Sequence, residues 1–132
     1  MNDLDVINRG GFAVRDMQGV DRWELYTPTR AGWTDVGTPT VSGRFRLVGK
    51  QCFWQVIVTP GTTCATTGGT SYVSLPVTPA SGTAGDGVAT DATGFRSIGA
   101  LAYDMTNGRA YIETYAATAH VFHLAGNYEV KG

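Results

Sequence analysis

Two histidines, His120 and His123, stand three residues apart near the end of the chain. On a helix that spacing lets two imidazoles share a metal ion. On a strand, side chains alternate between faces, so the two rings point apart. The flanking residues read as strand, and no Cys or carboxylate stands at metal-ligand spacing. No metal site and no cofactor are expected. One histidine is expected near the core or an interface, the other near water.

The candidate carboxylates are Asp86, Asp91, Asp104, Glu113 and Glu129. Glycoside hydrolysis needs a facing pair at controlled separation. Only Asp104 and Glu113 could share a sheet face, and Asp104 stands beside a turn. No serine lies in a nucleophile-elbow pattern. Cys64 has no basic neighbour to activate it. Asp86 and Asp91 lack the spacing of a calcium loop. No catalytic residue is therefore named, and the chain is read as a non-enzyme.

The aromatic residues carry more information. There are 3 Trp, 6 Tyr and 5 Phe. Trp23 and Trp54 are expected in the core. Trp33 follows a glycine in a loop, and Tyr111 and Tyr115 share a strand face with Glu113. Aromatic rings beside polar groups suit sugar stacking or a subunit interface, since both combine apolar area with polar handles. Trp33, Tyr111 and Tyr115 are the candidate carbohydrate-binding residues. The small Ala100 and Ala102 beside the two tyrosines favour an interface there.

The elements that must position these rings are strands. Ser42 to Thr59 reads as two strands around a Gly49-Lys50 turn of type I′ or II′. That register sets Phe45 opposite Trp54 and Leu47 opposite Cys52. With Val56 and Val58 these form one apolar face. The other face carries Arg44, Arg46, Val48, Gln51, Phe53, Gln55 and Ile57, a mixed surface that is either solvated or pressed on another subunit. A second hairpin spans Gly94 to Ala117 around Asn107-Gly108, the favoured type I′ pair. It pairs Tyr103 with Ile112 and Leu101 with Thr114. Shorter strands are expected at Phe12–Arg15, Asp21–Tyr26, Thr62–Ala65, Tyr72–Leu75, Gly87–Thr90, His120–Leu124 and Asn127–Val130. Residues 27–33 read as loop or edge, because Pro28 cannot donate to a ladder.

Eight to ten short strands with turns between them specify an antiparallel sandwich or barrel-like fold. No segment holds a 3.6-residue apolar period over ten residues, and no phosphate-binding glycine motif occurs. The chain of 132 residues divides into a lead-in segment, 1–11, and one domain, 12–132.

Composition agrees. Charged residues are only 16% and glycines number 18, which disfavours helical surface and suits turns. The net charge is −1, with no Lys/Arg cluster to track a nucleic-acid backbone. No apolar run reaches the length of a membrane span, and the first residues lack an apolar signal core. A near-neutral chain does not oppose self-association. An oxidised Cys52–Cys64 pair would close a short loop, but a disulfide-built fold usually carries more bridges. A buried thiol at Cys52 and a loop thiol at Cys64 are expected instead.

Three runs carry a resemblance: Tyr26-Thr-Pro-Thr-Arg-Ala-Gly-Trp33, Val41-Ser-Gly-Arg-Phe-Arg-Leu-Val-Gly-Lys50 and Tyr72-Val-Ser-Leu-Pro76. Together they resemble a carboxy-terminal β module of bacteriophage tail fibres, tailspikes and minor tail proteins. The resemblance implies a jelly-roll-like antiparallel β-sandwich that assembles as a homotrimer. It implies a place in the virion tail beside other tail proteins, after assembly in the host cytoplasm. The implied work is trimer assembly and attachment to host surface polysaccharide. Arg44, Phe45, Arg46, Gly49, Leu75 and Pro76 match architectural positions only. The alternatives are a stand-alone carbohydrate-binding module and, lowest, a polysaccharide hydrolase using Asp104 and Glu113.

Overall fold

The computed structural model describes residues 22–131. The expected lead-in 1–11 and the strand at Phe12–Arg15 lie outside the described residues.

The longest alternating run forms the longest hairpin. Strands β1 (Glu24–Tyr26), β2 (Arg30–Ala31) and β3 (Thr34–Val36) precede it. β4 (Thr40–Val48) and β5 (Gln51–Thr59) then pair in the expected register, Phe45 opposite Trp54 and Leu47 opposite Cys52. Gly49 has φ +61°, whereas Lys50 is not left-handed, so the turn is of type II′. Next come β6 (Thr63–Thr66), β7 (Tyr72–Ser74), β8 (Gly85–Asp91), β9 (Arg96–Ala100), β10 (Ala102–Asp104), β11 (Arg109–Tyr111), β12 (Tyr115–Thr118) and β13 (Phe122–Glu129). That makes thirteen strands among the described residues, more than the eight to ten expected. Strands such as β2, two residues long inside an expected loop, are too short to show a period.

The pairing is antiparallel throughout. One sheet has six strands in the order β9-β8-β13-β5-β4-β1, one has four in the order β10-β11-β7-β2, and one has three in the order β12-β6-β3. The described chain is thus all-β with open sheets, an arrangement consistent with a β-sandwich. The six-stranded sheet supplies most of the core: Cys52, Trp54, Val56, Val58, Ala89, Phe122, Leu124 and Tyr128. Val73 and Ala110 from the four-stranded sheet and Cys64 from the three-stranded one pack against them.

β13 is one continuous strand where two were expected, split near Gly126. Gly126 continues the ladder because the space above it is taken. A Cβ there would collide with the Tyr103 hydroxyl and the Asp86 carbonyl. That hydroxyl accepts from Trp54 Nε1 at 3.0 Å and donates to Asp86 O at 2.7 Å. The glycine therefore clears room for a hydrogen-bond relay from the core Trp54 to the exposed Asp86.

The second hairpin keeps its faces and shifts its register. Tyr103 pairs with Ala110, not Ile112, and the loop is four residues long, Met105–Gly108. The Asp104 carboxylate accepts from the Thr106 and Asn107 amides, both at 3.1 Å, and from Asn107 Nδ2 at 2.8 Å. This Asx anchoring replaces the two-residue turn expected at Asn107-Gly108.

Both thiols are free. Cys64 is no loop residue: it lies in β6, fully buried, and its thiol donates to Asp35 Oδ1 at 3.2 Å. Burial and then the Asp35 carboxylate push its pKa up to about 11.

Candidate functional site

The alternation that sends Trp54 and Cys52 inward sends their neighbours to the solvent side of the six-stranded sheet. There the ladder register lines up Arg46, Phe53, Asn127 and Asp86 across β4, β5, β13 and β8. Trp23, just before β1, joins the end of that row. Expected in the core, it lies half-buried on this outer face instead. The Arg44 guanidinium lies 4.5 Å and that of Arg46 5.2 Å from the Trp23 ring, with Arg46 also 5.2 Å from Phe53. Arg44 and Arg46 hold the indole on the sheet by cation–π contact, which competes with insertion into the core.

The row floors a cleft of about 400 Å³ lined by Trp23, Arg46, Phe53, Gln55, Asp86, Val88, Ala125 and Asn127, among others. Gln51 Nε2 donates to Asn127 Oδ1 at 2.8 Å and fixes that amide. The next row carries exposed apolar groups: Leu25 is 86% exposed and Val88 53%. This face thus offers flat aromatic area, a fixed amide, a carboxylate and two guanidinium groups, all but Trp23 carried on strands.

The three rings named from the sequence lie elsewhere, and they are joined through two intermediaries. Trp33 packs on Phe122 at 5.6 Å, and its Nε1 donates to the Tyr72 carbonyl at 3.1 Å. Tyr115 packs on the same Phe122 at 5.7 Å. Tyr111 lies 5.3 Å from the Tyr72 ring, with Arg109 above Tyr72 at 4.3 Å. Ala102 stands directly opposite Tyr111. Tyr111 thus belongs to an outer patch of the four-stranded sheet, while Trp33 and Tyr115 brace the core at Phe122.

Neither a protein-family model, nor a curated protein, nor a solved structure matches the chain.

Tyr115 is further committed through its hydroxyl, which donates to Asp91 Oδ2 at 2.7 Å. His120 Nδ1 meets the same oxygen at 2.7 Å, and the Thr93 and Gly94 amides donate to Oδ1. Asp91 is fully buried. Desolvation alone would raise its pKa, but the bonds from His120, Gly94 and Tyr115 outweigh it and hold the carboxyl well below its usual range. His123 points to solvent from β13. The two histidines therefore separate as expected, though His120 lies just before the strand and not within it. The Asp91 cluster ties β8, β12 and the lead-in of β13 together, so its chemistry is that of orientation.

Asp104 and Glu113 do not form a facing pair. Asp104 is taken up in its own loop, and Glu113 lies beyond the end of β11 with its side chain against Gly99 and Gly68. No group of three or more His, Cys, Asp or Glu among the described residues could hold a metal ion.

Sequence reasoning singled out neither Trp23 as a surface ring nor Asp91 as a hub. The Trp23 position could have been read from Arg44 and Arg46 at i and i+2 on the neighbouring strand. The Asp91 hub carried one local sign, an Asp three residues before Gly94, which suits an Asx turn.

Proposed function

We propose that this chain is a non-enzymatic assembly and recognition module of a phage tail fibre or tailspike. In this reading it is a jelly-roll-like, homotrimeric unit that attaches the particle to host surface glycans. Support comes from the three sequence runs that resemble tail modules and from the open antiparallel sheets.

The observation that carries the recognition half is the Trp23–Arg46–Phe53 stack running into Asn127 and Asp86. Sugars present apolar C–H faces and a rim of hydroxyls. Flat rings take the former, and carboxylates and amides take the latter. Arg46, Phe53, Asn127 and Asp86 are carried on strands, which keeps their geometry before the ligand arrives and lowers the ordering cost of binding. The Tyr72–Tyr111 patch is the second candidate platform, favoured by the arginine above it and the small Ala102 beside it.

The test is a glycan array probed with the folded protein, followed by titration of hits with Trp23→Ala and Tyr111→Ala. Loss of at least about tenfold in affinity for Trp23→Ala alone supports the cleft. The same loss for Tyr111→Ala alone moves the site to the smaller sheet. A folded wild-type protein that binds no surface polysaccharide overturns the recognition reading.

A further inference from the structure

Asn107-Gly108, the pair expected to form a two-residue turn, lies inside the four-residue loop between Asp104 and Arg109. The pair also carries chemistry of its own. An asparagine is thermally labile, and most so before glycine, whose nitrogen has no side chain to shield its approach to the asparagine Cγ. Of the four asparagines, Asn2, Asn8, Asn107 and Asn127, only Asn107 precedes a glycine. It is exposed at the hairpin tip. The reaction has two steps. The Gly108 amide nitrogen gives up its proton and attacks Asn107 Cγ, the bond from Cγ to Nδ2 breaks, and ammonia leaves with that proton, closing a succinimide ring. Water then adds to either ring carbonyl and opens it to aspartate or isoaspartate. Water is the sole co-reactant, and nothing is oxidised or reduced.

The loop restrains both groups that must react. The Gly108 amide donates to the Asp104 carbonyl at 2.9 Å, so the proton that must leave is engaged. Asn107 Nδ2 donates to Asp104 Oδ2 at 2.8 Å, so the leaving amide is tied to a carboxylate. That carboxylate is itself fixed by the Thr106 and Asn107 amides on Oδ1. Its charge also opposes the negative charge that must form on the attacking nitrogen. One residue, Asp104, therefore holds the nucleophile through its backbone and the leaving group through its side chain.

We propose that Asn107 is a covalent modification site, deamidated to aspartate or isoaspartate when the loop opens, with Asp104 as the lock that sets the rate. The product changes the loop. A carboxylate at position 107 replaces an amide that donates to Asp104, and two carboxylates at that separation repel. Gly108 also accepts from the Leu75 amide at 2.9 Å, which joins the loop to the end of β7. Asn107 lines a groove of about 370 Å³ whose walls, residues 74–79 and 106–108, carry no charged side chain. Deamidation places a charge in that groove. The inference goes beyond the proposed function and does not depend on what the module recognises.

The experiment is peptide mapping by mass spectrometry while the full chain is incubated in mildly alkaline buffer, with and without urea. Folded wild type should convert Asn107 at least about tenfold more slowly than the same chain unfolded in urea. Asp104→Ala, shown folded by its thermal melt, should convert at least about tenfold faster than wild type in native buffer. Asp104→Asn keeps an oxygen acceptor without the charge, so its rate should fall between the two. It carries the comparison if Asp104→Ala does not fold. Asn107 unchanged even in urea overturns the site. Equal rates for folded and unfolded wild type overturn the lock. Equal rates for wild type and the folded Asp104 variants overturn the assignment of the lock to Asp104.

Discussion

The six-stranded sheet and the two smaller sheets are held by different forces. The large sheet presents a wall of apolar side chains: Trp54, Val56, Val58, Phe122, Leu124 and Tyr128 are each at most 1% exposed. Its strands run to eight or nine residues. The smaller sheets are built from strands of two to four residues, with few apolar groups apiece. What fixes them is side chains bonded to distant backbone. Ser71 Oγ donates to the Gly32 carbonyl and accepts from the Thr67 amide. Thr66 Oγ1 donates to the Glu113 carbonyl at 2.6 Å. Asp91 gathers Tyr115 and His120. One side of the molecule is stabilised by removing area from water. The other depends on satisfying polar groups that burial would otherwise penalise.

The difference predicts two kinds of failure. Trp54→Ala empties a fully buried site and strands the Tyr103 hydroxyl relay. It should cost about 4 kcal/mol, the largest effect here, measured by urea unfolding. The loss should change little with pH, because no ionised group is involved. A cost near that of a surface substitution would break the picture of a rigid apolar wall.

Asp91→Ala should cost about 3 kcal/mol, because it leaves Tyr115, His120 and two amides without their acceptor in a buried place. Its signature is pH. The folded pKa lies below the unfolded value of about 3.9, so the carboxylate's contribution is complete above that pH. It is lost as pH falls through the folded pKa. Wild-type Tm should therefore drop steeply in acid, whereas Asp91→Asn should start lower at neutral pH and fall less. Thermal melts from about pH 2 to pH 7 read this directly. Equal acid slopes in the two proteins would remove Asp91 from the centre of the polar side.

Legibility in the sequence follows the same division. The register of the first hairpin, expected from Ser42 and observed from Thr40, was readable to the residue, because nine-residue alternation leaves one register that buries Trp54 and Cys52 together. The faces of the second hairpin were readable from Leu101, Tyr103, Ala110 and Ile112. Its register was not, because Asp104 set the loop from outside the Asn107-Gly108 pair. Trp23 was misplaced because hydrophobicity does not report a pair of arginines waiting on the next strand. The Asp91 cluster joins residues 24 and 29 positions apart, and no local period encodes such a meeting. Of the three candidate rings, only Tyr111 stands on an outer patch, because shared strand parity says nothing about where Phe122 will be.

Ser71→Ala should come next, at about 2 kcal/mol. The Gly32 carbonyl and the Thr67 amide lose their buried partner, and Ala has the volume to fit without strain. Hydrogen exchange should localise the damage: amides of β7 and β11 quicken while those of β5 and β13 keep their protection. Quickening across all four would mean that the two sides unfold as one unit and that the division drawn above is static only.

The smallest effect belongs to Asp104→Ala, and it tests the boundary between the two modes. Asp104 lies at the tip of a hairpin whose inner face is apolar and whose loop is polar. Its carboxyl sits below the usual range because the Asn107 side chain and amide donate to it, followed by Thr106. Without it, the loop loses the anchor that holds four residues between Asp104 and Arg109. The inner face has not changed, so Tyr103 and Ala110 should still point inward. What can change is the closure: Asn107-Gly108 is then released to form the two-residue type I′ turn that its sequence favours. Tyr103 would move from Ala110 to Ile112, a change that keeps every side chain on its face. Cross-strand nuclear Overhauser contacts between positions 103 and 110 or 112 distinguish the outcomes. A shift to Ile112 shows that one solvent-facing carboxylate selects between two registers that the apolar pattern leaves equivalent. Retention of Ala110 shows that Ile112, bonded through its amide to the Ser71 carbonyl, fixes the register from the polar side.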